Sequence, residues 1–297
     1  MKKLEIEIYS YYNKIILTTK NVTTPKLKSV ETSWSELSEK YDNFVFDGFG
    51  TLYLANTVYD YSIALINKLR KANKKLRVLT NAASRSSQKL AAHLNTLSLE
   101  FAPDEIISSG SLIPDALLKQ KISKAFLVGP QSAKYFLQQA QCQSAEVGDL
   151  DFSGNPQQSP VVILTSSLDD DAPERQWATK LLQIPGCILI IANPDVMAPS
   201  PSGKYFVSGS LGYEWEQKYR CKTTYLGKPF AEIYHKLKAS LPGGKTLVIG
   251  DTIGTDILGG KTQGLDTALI LNGNSAQSAW VENSKILNTA PHWIIKP

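Results

Sequence analysis

The sequence predicts an α/β protein: a Rossmann-like parallel-sheet core with helices on both faces, plus a smaller inserted α/β domain. Three observations carry this. Short apolar runs alternate with amphipathic stretches from residue 43 onward, the pattern of a parallel sheet whose crossover helices cover both faces. The same alternation returns over residues 230–271. Between these blocks, residues 114–223 bring strand and core candidates of their own. The expected division is an N-terminal arm at 1–40, a core built from 41–113 and 224–297, and the inserted domain at 114–223.

In the arm, Leu4-Glu-Ile-Glu-Ile-Tyr9 alternates at period 2 and predicts a strand, with Lys14-Ile-Ile-Leu-Thr-Thr19 as a second. Ser33-Trp-Ser-Glu36 has the form of a capping box and opens a helix through Leu37 to Tyr41. Asn43 to Phe46 is a buried strand. Val58 to Lys71 repeats apolar residues at 59, 63, 66 and 69, one face of a helix. Leu76 to Leu79 is a strand, and Ser84 to Leu97 a helix with Leu90, Ala91, Leu94 and Leu97 inward. In the inserted region, Ala125 to Val128, Val161 to Leu164 and Cys187 to Ile191 are strands. A helix at 173–182 starts on Pro173, and Ala198-Pro-Ser-Pro-Ser202 is a proline-rich turn. Back in the core, Phe230 to Ser240 is a helix, Thr246 to Ile249 a strand, Asp256 to Gln263 a helix and Thr267 to Leu271 a strand.

Composition excludes several classes of function. The 297 residues are 42% hydrophobic and 20% charged, the balance of a globular protein. No apolar run reaches the roughly 18 to 20 residues of a membrane span, and the start lacks the apolar core of a signal peptide. No membrane role and a cytoplasmic location are therefore expected. The net charge of +5 is mild. The basic stretch from Lys68 to Arg77 reads as a solvated helix end, with no nucleic-acid partner. Cys142, Cys187 and Cys221, like His93, His235 and His292, are too scattered for a disulfide framework or a zinc site. A homodimer is left open.

Ligands of parallel α/β sheets bind beyond the carboxyl ends of the strands. Three such ends deliver Asp47-Gly-Phe-Gly-Thr51, Thr80-Asn81, and Gly250-Asp-Thr-Ile-Gly-Thr-Asp256. Singly, each polar residue has an ordinary reading. Asp47 would form a turn, Thr80 and Asp256 would cap helices, and Lys228 would lie on the surface. Jointly they form a set suited to phosphoryl transfer. Two carboxylates hold Mg²⁺, one of them is able to attack phosphorus, and a lysine and a hydroxyl neutralise the phosphoryl oxygens. Glycines admit the backbone close to the ligand.

Asp47-Gly-Phe-Gly-Thr-Leu52, Leu79-Thr-Asn81, Gly227-Lys-Pro229 and Gly250-Asp-Thr-Ile-Gly-Thr-Asp256, in this order, resemble the four motifs of the haloacid dehalogenase superfamily. Thr80 and Lys228 are 148 residues apart (228 − 80). The insertion thus falls where the NagD-like phosphatases of that superfamily carry an α/β cap domain. Ile106-Ile-Ser-Ser-Gly110, Ala192-Asn-Pro-Asp195 and Gly259-Gly-Lys-Thr-Gln-Gly264 are similar to that subfamily too. The resemblance covers residues 40–275 and implies roles. Asp47 is expected as the nucleophile of an aspartyl-phosphate intermediate. Thr80, Lys228 and the backbone near Gly48 and Asn81 are expected to bind the phosphoryl group. Asp47, the carbonyl oxygen of Phe49 and Asp251 are expected to hold Mg²⁺, with Asp256 in support. Asn193 and Asp195 are the substrate candidates of the cap.

Position 49 departs from that pattern. Phosphatases of the superfamily usually place an acid two residues after the nucleophile, to protonate the leaving group and later activate water. Here the residue is Phe49. General acid–base catalysis is worth roughly 10² to 10⁴ in rate, so its loss matters. The expected activity is that of a Mg²⁺-dependent phosphatase of a small phosphorylated metabolite, such as a sugar phosphate. It would be slow, would borrow an acid from the cap, or would prefer good leaving groups. Two alternatives stay open: a protein that binds a phosphorylated ligand without turnover, and a metal-independent 2-haloacid dehalogenase, since those relatives carry an aromatic residue at this position. The cap placement, Asp251 and Asp256 weigh against the latter. Asp169-Asp-Asp171 could offer a replacement acid, but reads better as a solvated turn before the 173–182 helix.

Overall fold

The computed structural model describes residues 2–19, 29–275 and 279–297; residues 20–28 of the arm lie outside the description. At its centre is a seven-stranded parallel sheet. Its order is Val30–Glu31, Trp293–Ile295, Asp266–Ile270, Thr246–Gly250, Asn43–Phe46, Lys75–Thr80, Ile106–Ser108. Every residue of Asn43–Phe46 is buried, which is why that segment reads as a continuous apolar run without alternation. Phe44 and Phe46 pack under Leu65, Ile66 and Leu69 of the helix Asp60–Lys71 and Leu90 and Leu94 of Ser87–Thr96. Val45 and Val248 point to the opposite face, against Ile233, Tyr234 and Leu237 of the helix Ala231–Ala239. The α/β layering expected from the sequence is therefore present, with helices on both faces.

A second, five-stranded parallel sheet is ordered Lys222–Tyr225, Ile188–Ile191, Val161–Leu164, Lys124–Val128, Gln143–Ala145. The chain enters it after Ile106–Ser108 and leaves it through Lys222–Tyr225. We propose these crossings as the limits of the inserted domain, with its last strand two residues beyond the expected 223. The helix Pro173–Leu181 starts on its proline, as expected. Asp169 to Asp171 are exposed, and Asp170 pairs with Arg175 of that helix.

Two local expectations are corrected. Leu4 to Tyr9 and Lys14 to Thr19 do not form strands. Lys2–Thr19 is one helix of 18 residues, and Glu5, Ile8, Tyr9, Tyr12 and Ile16 form its buried stripe. Their spacing of three and four residues is helical. The six-residue alternation from Leu4 to Tyr9 was too short a window to separate the two periods. The 198–202 turn is also more ordered than expected. Met197–Ser200 pairs antiparallel with Gly203–Phe206, and Pro199 is tolerated there because each strand of a two-stranded ribbon is an edge.

The N-terminal helix joins the two domains. Tyr9 seats its ring on Gly254 in the loop after Thr246–Gly250, where an added Cβ would fall 2.3 Å from a ring carbon. Tyr12 places its ring edge-on to Tyr225 at 5.0 Å and Phe230 at 5.2 Å, and its hydroxyl faces the carbonyl of Gly209 at 3.4 Å. On the inserted domain, the Tyr213 hydroxyl donates to Glu7 at 3.0 Å. On the core, Asn13 Nδ2 donates to the carbonyl of Leu287 at 3.1 Å. Ile8, Tyr9, Tyr12 and Ile16 thus complete an apolar cluster that contains Leu211 and Trp215 from one domain and Ile253, Ile257 and Leu269 from the other.

Truncating a buried aromatic ring costs about 3–5 kcal/mol, whereas surface changes stay within about 0.5 kcal/mol. Tyr9→Ala is accordingly expected to lower the urea midpoint strongly, and Leu17→Ala, at a side chain left 40% exposed, hardly at all. Equal effects would mean that the helix is not part of the packed structure.

Candidate active site

Parallel strands place their carboxyl ends on one side. Asn43–Phe46 lies between Thr246–Gly250 and Lys75–Thr80, so Asp47, Asp251, Thr80 and Asn81 emerge together. Asp47 is still in register, its N–H donating to the carbonyl of Ile249 at 2.8 Å. The chain then turns back sharply, with Leu52 N–H donating to Gly48 O and Gly50 N–H to Tyr53 O, both at 2.8 Å.

At the centre is a buried charge cluster. Lys228 Nζ donates to Asp47 Oδ1 at 2.6 Å and to Asp256 Oδ1 at 2.7 Å. Lys228 is 2% exposed, Asp47 8%, Asp251 2% and Asp256 1%. Asp256 uses its other oxygen on the N–H of Thr252 at 3.1 Å, which shapes the loop. Asp251 accepts from Thr252 Oγ1 at 3.0 Å and from the N–H of Asn274 at 2.6 Å.

Burial lifts the Asp47 carboxyl well above the usual carboxylate range; Lys228 opposes the shift, and Asp256 and Asp251 add to it. Burial and the neighbouring Asp256 push Asp251 up to about 7. Burial alone would lower the Lys228 ammonium, but Asp256, Asp47 and Asp195 outweigh it and hold the group protonated. One oxygen each of Asp47, Asp251 and Asp256 lies within 4.8 Å of the others. With all three carboxylates ionised against one ammonium, the formal charge in this space is −2 (−3 + 1). An all-oxygen donor set with that deficit fits a hard divalent cation of the Mg²⁺ type.

The remaining expected residues divide by position. Thr80 ends its strand beside the Asp47 strand, and its hydroxyl accepts the N–H of Ala82 at 3.3 Å. Gly48 is buried in the turn after Asp47. Asn81 is 2% exposed and binds the backbone of Lys228 on both sides: Nδ2 donates to its carbonyl at 2.9 Å, and Oδ1 accepts its N–H at 2.7 Å. Gly227 is fixed by that contact. It holds φ +100°, and a Cβ there would fall 2.5 Å from Asn81 Oδ1. The Phe49 ring packs edge-on to Tyr53 at 5.7 Å. Asn193 turns its side chain back on its own loop, Oδ1 accepting the N–H of Asp195 at 2.9 Å. Asp195 reaches into the core, where Oδ1 accepts Asn81 Nδ2 at 2.7 Å.

Sequence reasoning missed Tyr53, Asn274 and Tyr9. Tyr53 stands beside Gly48, and burial followed by the Asp47 charge pushes its phenol up to about 12, so it stays protonated. Its place at the end of Gly50-Thr-Leu-Tyr53 was the available signal. Asn274 acts through its backbone N–H on Asp251 and through Nδ2, which donates to Thr252 Oγ1 at 2.9 Å.

Known proteins resemble this chain in sequence and in fold. A family model described as haloacid dehalogenase-like hydrolase matches residues 44–143, and a second, described as HAD-hydrolase-like, matches 225–296. Ribonucleotide monophosphatase NagD of Escherichia coli (strain K12) is 26% identical over 254 residues, covering 85% of this chain and 94% of its own. A possible sugar phosphatase from Cytophaga hutchinsonii superposes with a TM-score of 0.78 at 26% identity, covering 90% of this chain and 98% of its own. Glycerol phosphate phosphatase of Mycobacterium tuberculosis, in complex with magnesium, superposes with a TM-score of 0.70 at 21% identity over 89% of this chain and 76% of its own.

A cation held by Asp47 and Asp251 would stabilise the folded state. At a hundredfold excess over Kd, one bound ion is worth about 2.7 kcal/mol. Mg²⁺ is therefore expected to raise the melting temperature of the wild-type chain, and Asp251→Asn to remove most of the rise. A melting temperature indifferent to Mg²⁺ would contradict the cation site.

Proposed function

Because this chain belongs to the haloacid dehalogenase superfamily, in its NagD-like branch, and is a hydrolase of the phosphatase type, we propose that it is a Mg²⁺-dependent phosphatase that uses Asp47 as its nucleophile. The observation that carries this reading is the Lys228 ammonium bound to Asp47 at 2.6 Å. It favours the ionised carboxylate in a buried site, and an ionised carboxylate is what attack on phosphorus requires.

In the first step a carboxylate oxygen of Asp47 attacks phosphorus, the bond to the leaving oxygen breaks, and an aspartyl-phosphate forms. In the second, water attacks that phosphorus, releasing inorganic phosphate and restoring Asp47. Lys228, the Thr80 hydroxyl and backbone N–H groups near Gly48 and Asn81 hold the phosphoryl oxygens. Asp47, the Phe49 carbonyl and Asp251 would hold Mg²⁺, whose contribution is to neutralise phosphoryl charge. Asp256 secures Lys228 and the loop that carries Asp251.

Phe49 shapes the substrate range. With no acid at that position, the leaving group departs as an anion, which favours acidic leaving groups such as those of acyl and aryl phosphates. Small phosphorylated metabolites, sugar phosphates among them, are the proposed class. The names of the relatives, a ribonucleotide monophosphatase and a possible sugar phosphatase, support that size of substrate. Asp195 brings the cap to Asn81, beside Lys228.

Two outcomes follow. Hydrolysis of p-nitrophenyl phosphate is expected, and is lost on Asp47→Asn or on chelation; turnover that survives Asp47→Asn would sink the mechanism. Phe49→Asp is expected to raise the rate on alkyl phosphates more than on aryl phosphates, within the roughly 10² to 10⁴ that acid–base catalysis supplies. A folded variant with no such bias would mean that another group already supplies the proton.

A further inference from the structure

The cap meets the catalytic end of the core through the ribbon Met197–Phe206, where Lys204 Nζ donates to Asn274 O at 2.5 Å, and through the turn Asn193 to Val196, which is held on three sides. Its own Asn193 side chain accepts the Asp195 N–H at 2.9 Å. The start of the helix Ser208–Tyr219 closes on it from behind, with Ser208 Oγ donating to Asn193 O at 3.2 Å and Gly209 N–H to Asp195 O at 2.8 Å. The N-terminal helix braces it from the third side, where the hydroxyl of Tyr9 meets the backbone of Val196. A turn fixed this firmly presents one carboxylate, Asp195, to the core.

That carboxylate meets Asn81 and not the phosphate-binding groups themselves. Asn81 has two distinguishable ends, and both are committed. Nδ2 donates to Asp195 Oδ1 at 2.7 Å and to Lys228 O at 2.9 Å, while Oδ1 accepts Lys228 N–H at 2.7 Å. An ionised carboxylate only accepts hydrogen bonds. It therefore selects the orientation in which the amide nitrogen faces the cap and the amide oxygen faces Lys228. Reversing the amide would set its oxygen against the carboxylate and its NH₂ against the Lys228 N–H, both repulsive. Without Asp195, one of those two penalties disappears, and the backbone of Lys228 loses part of its restraint. The ammonium that holds Asp47 is carried on that backbone.

We propose that Asp195 is a positioning residue for the phosphatase reaction, through which the seated cap fixes Asn81 and thereby the loop of Lys228. The proposal rests on the reading of Asp47 and Lys228 above, and it makes cap docking and assembly of the nucleophile site a single event. Asp195 takes no proton and touches no reacting atom in this role. The distinction separates it from an acid that replaces the one missing at Phe49.

The full-length chain is assayed as wild type, Asp195→Ala, Asp195→Asn, Asn81→Ala and the Asp195→Ala/Asn81→Ala double variant, with p-nitrophenyl phosphate and Mg²⁺. Misplacing a catalytic group by about 1 Å costs on the order of 10²-fold. Asp195→Ala is thus expected to lower kcat by between about tenfold and a hundredfold. Asp195→Asn keeps an oxygen facing the Asn81 amide and the volume of the side chain, so it is expected to retain most of the rate. The Asp195→Ala and Asn81→Ala losses should not multiply, because they break one chain of contacts. Hydrogen exchange supplies a readout independent of turnover: amides of residues 226–230 should exchange faster in Asp195→Ala than in wild type or Asp195→Asn. Multiplicative losses, an Asp195→Asn as impaired as Asp195→Ala, or unchanged exchange at 226–230 would each overturn the proposal. A wild-type chain that hydrolyses nothing would instead remove the phosphatase reading, and the exchange comparison would still decide the role of Asp195.

Discussion

The ammonium of Lys228 lies between Asp47 and Asp256, 2.6 and 2.7 Å from their carboxylate oxygens and 2% exposed, and the other parts of the site are arranged around that contact. It ties together three segments far apart in sequence: the strand end at 47, the loop at 228 and the loop at 251–256. Removing one partner from a buried ion pair typically costs about 3–5 kcal/mol, because the other charge is left uncompensated. Folding of the core and assembly of the site therefore depend on the same three groups. The electrostatics also leave a deficit, since Asp251 brings a third carboxylate that Lys228 does not touch. That deficit fits a divalent cation.

The elements outside the sheet serve that cluster in different ways. The cap reaches it through Asp195 and Asn81. The N-terminal helix supports the cap turn and the 251–256 loop together, because Tyr9 lies between Val196 and Gly254. Its residues precede both segments that match family models, 44–143 and 225–296. Phe49 contributes differently. Its side chain packs edge-on to Tyr53 and carries no group that could give or take a proton.

Much of this was legible in the residues. The strands at 43–46, 161–164 and 246–250 and the capping box at Ser33 were readable because buried parallel strands are continuous apolar runs and capping chemistry is local. Asp47 and Asp251 were expected together because strand ends in a parallel sheet converge, and Lys228 because its segment resembles a superfamily motif; the structure brings the three side by side. The helix at 2–19 was not, since six residues of alternation satisfied a strand template before the longer stripe of Glu5, Tyr9, Tyr12 and Ile16 could be recognised. The link from Asp195 to Asn81 spans 114 positions and depends on how one domain sits on the other, which spacing does not encode. Asn274 reaches Asp251 through a backbone N–H that every residue but proline possesses, and its side-chain bond to Thr252 joins two loops whose approach spacing does not encode.

The covalent role of Asp47 is tested most directly by trapping the intermediate. The wild-type chain, mixed with substrate and Mg²⁺, is quenched with borohydride, which reduces an acyl phosphate to an alcohol and leaves free carboxylates intact. Peptide mass spectrometry is expected to find homoserine at position 47, dependent on substrate and absent from a chelated sample. Steady turnover with position 47 remaining aspartate under the same quench, or reduction at a different carboxylate, would contradict the mechanism.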